Sequence, residues 1–157
     1  MEMYLGIVGV AHPRRILPAA AWLTAGSVAG VLVTSELTRR GMRPPAPLTT
    51  PSMRDAAAEH MAVGARGIWK QAVNGVPVKL YAAAAGEAGV PRIPLAVQTA
   101  GARGARAVAM GAAVAGAAAV GHPVLRRFYG PYLGVLGAGY AAGLALVIRS
   151  WRRRSSA

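Results

Sequence analysis

Two histidines and a set of arginine clusters are the residues of this chain whose types and spacing suggest chemistry. His12 lies in "AHPRR" and His122 in "GHPVLRR", each next to a proline and close to an arginine pair. Two imidazoles at one membrane surface could ligate haem or a metal. No carboxylate and no third ligand accompany them, so bonding to free carbonyls at a helix end, or contact with lipid headgroups, is the simpler use. His60 falls on the other side of the membrane in the topology given below and does not complete the pair. We therefore expect no metal site and no cofactor of the protein's own. The absence of cysteine excludes disulfides, thiolate metal centres and cysteine nucleophiles. There is also no phosphate loop, no dinucleotide fingerprint and no Ser-His-Asp set, so we expect no catalytic residues and no enzyme.

The arginines carry more information. Lys and Arg number 18 against five acids, a net charge of +13. They do not sit at regular surface spacing; they come in clusters that bracket long uncharged runs. Such a charge suits anionic lipid or nucleic acid, and the apolar runs decide for lipid, with no nucleic-acid partner. Each basic residue near an anionic surface contributes about 1 kcal/mol. Arg103 and Arg106 would lie beside Arg149 and Arg152 if the C-terminal part closes as a helical hairpin, forming a pocket for a cardiolipin-type headgroup. Arg126 and Arg127 would serve the opposite surface, in the hairpin turn. Plain topology-setting charge accounts equally for all six.

The elements that hold these residues read as an all-α membrane protein. Crossing a hydrocarbon core of about 30 Å takes on the order of 20 apolar residues. Three runs qualify, at 16–35, 107–125 and 128–148, each free of charge and flanked by arginine. The second is mostly alanine and glycine, which favours burial among other helices. The chain thus divides into 1–35, an N-terminal segment with the first span; 36–106, a proline-broken extramembrane segment; and 107–157, a transmembrane hairpin with a basic tail. The apolar 1–11 is too short to span and reads as interfacial or packed on a neighbour. With three crossings, Arg14, Arg15, Arg126 and Arg127 share one side and the other basic residues share the opposite one. By the positive-inside rule the N-terminus faces outward and the C-terminus faces the mitochondrial matrix, or a bacterial cytoplasm. Glu2 and the lack of basic periodicity argue against a cleaved presequence.

Within 36–106, the connector "GMRPPAPLTTP" is extended. An amphipathic helix is expected over about 52–74, capped by Thr50 or Ser52 and ended by Gly75. Its apolar face carries Met53, Ala57, His60, Met61, Gly64, Ile68 and Ala72, with Gln71 as the polar intruder. That face lies either on the membrane, with Trp69 at the headgroups, or on a partner subunit. A shorter helix is expected over 78–87, and "GVPRIP" then breaks the chain.

Three glycine pairs have the spacing that lets helix backbones approach closely: Gly26 with Gly30, Gly130 with Gly134, and Gly139 with Gly143. No Asp, Glu, Lys or Arg interrupts any of the three runs, which counts against a pump, channel or transporter. Glu36 reads as a boundary residue paired with Arg39 or Arg40.

Gly121, Arg126, Arg127, Tyr129 and Pro131 give residues 107–143 a resemblance to the apolipoprotein-O family of cristae-organising proteins, whose two glycine-rich spans are joined by a short basic turn and a Tyr-Pro element. Here Gly130 separates the Tyr from the Pro, and the N-terminal span is an addition. The resemblance implies membrane shaping and cardiolipin contact. The residues themselves suggest a non-catalytic accessory subunit of an energy-transducing complex of the mitochondrial inner membrane, a respiratory-chain or ATP-synthase assembly. Its partners would be other membrane subunits and anionic phospholipid. Small helices, irregular connectors and little core of its own would leave the chain dependent on those neighbours for order.

Overall fold

A computed structural model of the chain describes residues 7–8, 15–42, 45 and 49–154, with the backbone alone at 115, 117–127, 129 and 154. The expected roles of 1–6, of His12 and Arg14, and of most of the proline-rich connector lie outside the described residues. The described part is helical throughout and holds no strand: α1 (Ile16–Arg39), α2 (Pro51–Ala62), a 3-10 helix (Ala65–Lys70), α3 (Gln71–Asn74), α4 (Val78–Glu87), α5 (Arg92–Arg127) and α6 (Tyr129–Arg154).

Local chemistry explains most of the boundaries. Thr50 caps α2, its hydroxyl accepting from the Met53 amide at 3.3 Å, with Pro51 in the first turn. The expected single helix over 52–74 is instead broken into three elements. Gly64 ends α2 at φ +90, and Gly67 lies so close under the His60 carbonyl that a Cβ there would overlap it. The chain folds back on α2 at this point, which two glycines three residues apart permit. Gly75, at φ +70, ends α3 as expected. α4 spans the residues the sequence indicates. Pro94 falls in the first turn of α5, where no helical partner for its amide is needed, so "GVPRIP" bends the chain and then starts the next helix.

α5 is 36 residues long and runs through the expected boundary at 106 without a break. The run 107–125 is therefore the second half of a longer helix. Among the described residues, two stretches are long and apolar enough to cross a membrane, α1 and Gly130–Arg153 of α6; most side chains of 107–125 lie outside the described residues.

α1 and the first half of α5 pair antiparallel in a register shown by four contacts. Arg92 meets Glu36, Arg103 meets Ser27, Gly104 faces Thr24, and Gly111 abuts Ile16. α4 crosses α1 where Gly86 approaches the Ser35 carbonyl and Thr38. Between these helices lies a closed core of Val31, Met53, Ala57, Met61, Ile68, Val76, Leu80, Tyr81, Leu95 and Trp151. A small satellite of Ala19, Ala20 and Ala107 continues it along α1. The expectation that the chain has little core of its own is thus corrected. The apolar face expected on lipid or a partner, carrying Met53, Ala57, Met61 and Ile68, is covered by the chain's own α4 and α5.

Candidate functional site

Two kinds of surface emerge: a polar junction that ties α6 to the small bundle, and uncovered apolar faces on α1 and α6. The junction starts at Tyr81, which is fully buried on α4. Its phenolic oxygen accepts from Asn74 Nδ2 at 2.5 Å and lies 2.8 Å from His60 Nδ1. With one donor already directed at that oxygen, the phenol proton is best used toward His60, which leaves the imidazole proton on Nε2. The two rings lie within 5° of parallel, their centroids 5.9 Å apart. Burial raises the Tyr81 pKa above its ordinary value, with the Asn74 hydrogen bond pulling the other way. Asn74 Oδ1 also accepts from the Val76 amide at 3.1 Å, which holds the turn between α3 and α4.

Trp151 closes the junction from α6. Its indole donates to the Asn74 carbonyl at 3.2 Å, and its own carbonyl accepts from Ser52 Oγ at 3.3 Å. Gly75 leaves room for Val147, since a Cβ there would come 2.9 Å from that side chain. Sequence reasoning overlooked this network. A lone Trp in "RSWRRR" was its one visible signal, because an indole is poorly suited to a purely solvated arginine run.

Four of the predicted lipid-binding arginines have described side chains. Arg103 donates to Ser27 on α1 at 3.4 Å, whereas Arg106 donates to the Ala72 carbonyl of α3 at 2.6 Å. Both are turned into the bundle and act as structural donors. Arg149 and Arg152 are exposed near the end of α6. The side chains of Arg126 and Arg127 lie outside the described residues, as do those of His12 and His122. Glu36 pairs with Arg40 at 3.1 Å and, unexpectedly, with Arg92 at 2.6 Å across to α5. Arg39 instead donates to the Val90 carbonyl. No group of three metal-ligating side chains occurs among the described residues.

No known protein family, characterised protein or solved structure matches this chain. The likeness to the apolipoprotein-O family therefore rests on its five residues alone.

The predicted helix-packing glycines share one environment. A Cβ at Gly26, Gly30, Gly130, Gly134, Gly139 or Gly143 would meet no atom of the described residues within 4 Å. On α1 the glycine pair shares its exposed surface with Trp22 and Val33. On α6 none of the apolar window is buried. The glycines that permit close packing inside the chain are others: Gly67, Gly75, Gly86, Gly101 and Gly111.

Proposed function

We propose that the protein is a non-catalytic accessory subunit of a multisubunit membrane complex. One observation carries this reading. The chain closes a compact core with its polar junction satisfied, yet has two long apolar helices whose small-residue faces meet no atom of the described residues. Monomeric soluble proteins rarely expose such patches, which mark protein or membrane contacts. Glycine faces of this spacing let a second helix approach closely, and here no atom of the described residues takes that place. The membrane we propose is the mitochondrial inner membrane, whose cardiolipin supplies the negative headgroups that a charge of +13 suits.

The test is native electrophoresis of gently solubilised membranes, followed by mass spectrometry of the co-migrating proteins. Recovery in fixed ratio with subunits of a respiratory or ATP-synthase assembly is the expected result. Migration as a homo-oligomer without a catalytic partner would refute it and favour membrane shaping through self-association of the glycine faces. Gly130→Leu with Gly134→Leu should release the subunit from its assembly while leaving the bundle's own unfolding unchanged, because neither position touches the core.

A further inference from the structure

α1 passes every length and composition test for a membrane span, but the structure gives it neighbours that a span does not have. Its register with α5 sets Arg103 against Ser27, at the middle of α1, and Arg106 less than one turn further along. A bilayer centred on α1 would hold both guanidinium groups near its mid-plane. It would also take in α2 and the 3-10 helix, packed through the core that Val31 shares with Met53 and Ile68, with exposed Arg54, Asp55, Glu59, Arg66 and Lys70.

The segment 107–148 has no such difficulty. α1 begins at Ile16, level with Gly111, and α5 continues past that point to Arg127. After the turn at Phe128 the chain returns along α6 and rejoins the bundle at Val147 and Trp151. Beyond the level of Ile16, residues 112–127 extend about 24 Å, and residues 129–146, before α6 meets the bundle, about 27 Å at 1.5 Å per residue, close to the hydrocarbon thickness of about 30 Å.

We propose that the protein crosses the bilayer twice, through 112–127 of α5 and 129–146 of α6, and that α1 with the rest of the bundle stands outside it on the side of the C-terminus. The lipid is anionic, as the flanking charge indicates. Sixteen of the 18 basic residues then share one side, and only Arg126 and Arg127 lie across the membrane. That is a stronger inside bias than three crossings produce. The proposal rests on the membrane part of the accessory-subunit reading and not on the identity of the complex. It extends that reading, because an apolar face of α1 held away from lipid calls for a protein to cover it.

The absence of cysteine allows single-cysteine variants of the full chain to report position directly. Ala29→Cys on α1, Ala58→Cys on α2, Phe128→Cys in the turn, and Ala138→Cys and Ala142→Cys on α6 are each reconstituted in phosphatidylcholine–cardiolipin vesicles, at a protein density too low for self-association. A membrane-impermeant maleimide is then applied before and after detergent. Ala29→Cys and Ala58→Cys should label in the same fraction of molecules on intact vesicles, and Phe128→Cys in the complementary fraction. Ala138→Cys and Ala142→Cys should label only after detergent. Protection of Ala29→Cys, with Ala142→Cys also protected, would overturn the two-span topology and leave membrane insertion standing. Labelling of Ala138→Cys and Ala142→Cys on intact vesicles would overturn insertion itself. Neither outcome bears on co-migration with a complex, so the two proposals fail separately.

Discussion

Removing the Tyr81 hydroxyl is the sharpest perturbation of the junction. Tyr81→Phe keeps the ring in the core but leaves Asn74 Nδ2 and His60 Nδ1 without the oxygen they share at 2.5 and 2.8 Å. A buried polar group left unsatisfied costs about 1–3 kcal/mol. His60 and Asn74 are half-buried, so water replaces part of each lost bond, and the two losses together should amount to about one such penalty, roughly 1–3 kcal/mol. At 1.4 kcal/mol per tenfold, the unfolded fraction would rise by roughly five- to 150-fold. The assay is urea unfolding in mild detergent, followed by tryptophan fluorescence. A second arm uses pH. An unfolded tyrosine ionises near pH 10, and burial holds the folded group above that. Between the two values the unfolded state has already lost a proton that the folded state keeps, so stability falls as pH rises. The benefit of the phenol is thus complete below about pH 10 and shrinks above it, and the gap between wild type and Tyr81→Phe should narrow there. A destabilisation under about 0.5 kcal/mol, or a gap that stays constant through alkaline pH, would refute the reasoning.

Further perturbations separate packing from propensity and junction from lipid. Gly86→Ala should gain about 1 kcal/mol of helix propensity and lose about 1–3 kcal/mol to overpacking, because its Cβ would press on the Ser35 carbonyl with Thr38 Cβ 3.0 Å away; net destabilisation is expected in the same urea assay, and stabilisation would mean that α1 and α4 can separate cheaply. Trp151→Ala removes an almost fully buried indole and should cost about 3–5 kcal/mol, read as protease cleavage near 147–151 at a bundle that otherwise resists. Arg149→Gln with Arg152→Gln should strip bound cardiolipin from the detergent-solubilised protein, about 1 kcal/mol per charge, measured by native mass spectrometry; full retention would limit those charges to setting topology.

The legible parts of this fold were those controlled by local chemistry. Thr50 as a cap, Gly75 as a stop and the whole of α4 follow from turn and capping rules that act over a few residues. The apolar face of Met53, Ala57, Met61 and Ile68 was also visible, because 3.6-residue spacing survives even where the helix does not. What covers that face was not visible, since Leu80 and Leu95 arrive from later in the chain. The break at Gly64 has the same origin. "VGARG" offers two glycines, but only the approach of Gly67 to the His60 carbonyl turns that permission into a fold. Glycine spacing gave no signal for packing within the bundle. The pairs that stand four apart in sequence meet no atom of the described residues, whereas the tightly packed Gly86 and Gly111 carry no motif.

α1 shows why a span test applied to one helix is incomplete. Alanine, glycine and valine make α1 apolar enough on its own, and its only acid, Glu36, is at the end. The charges that decide its environment are on α5, more than seventy residues later, and they reach α1 only because the two helices pair in one register. A single arginine at the centre of a span costs about 2.5–3.5 kcal/mol; Arg103 and Arg106 together would cost about twice that, before any charge on α2 is added. Two donors satisfied by Ser27 Oγ and the Ala72 carbonyl offset part of this, but they do so equally well outside the bilayer, where the desolvation never has to be met. Apolar length therefore marks α1 as a helix that must be covered, and its pairing with α5 argues that the cover is protein.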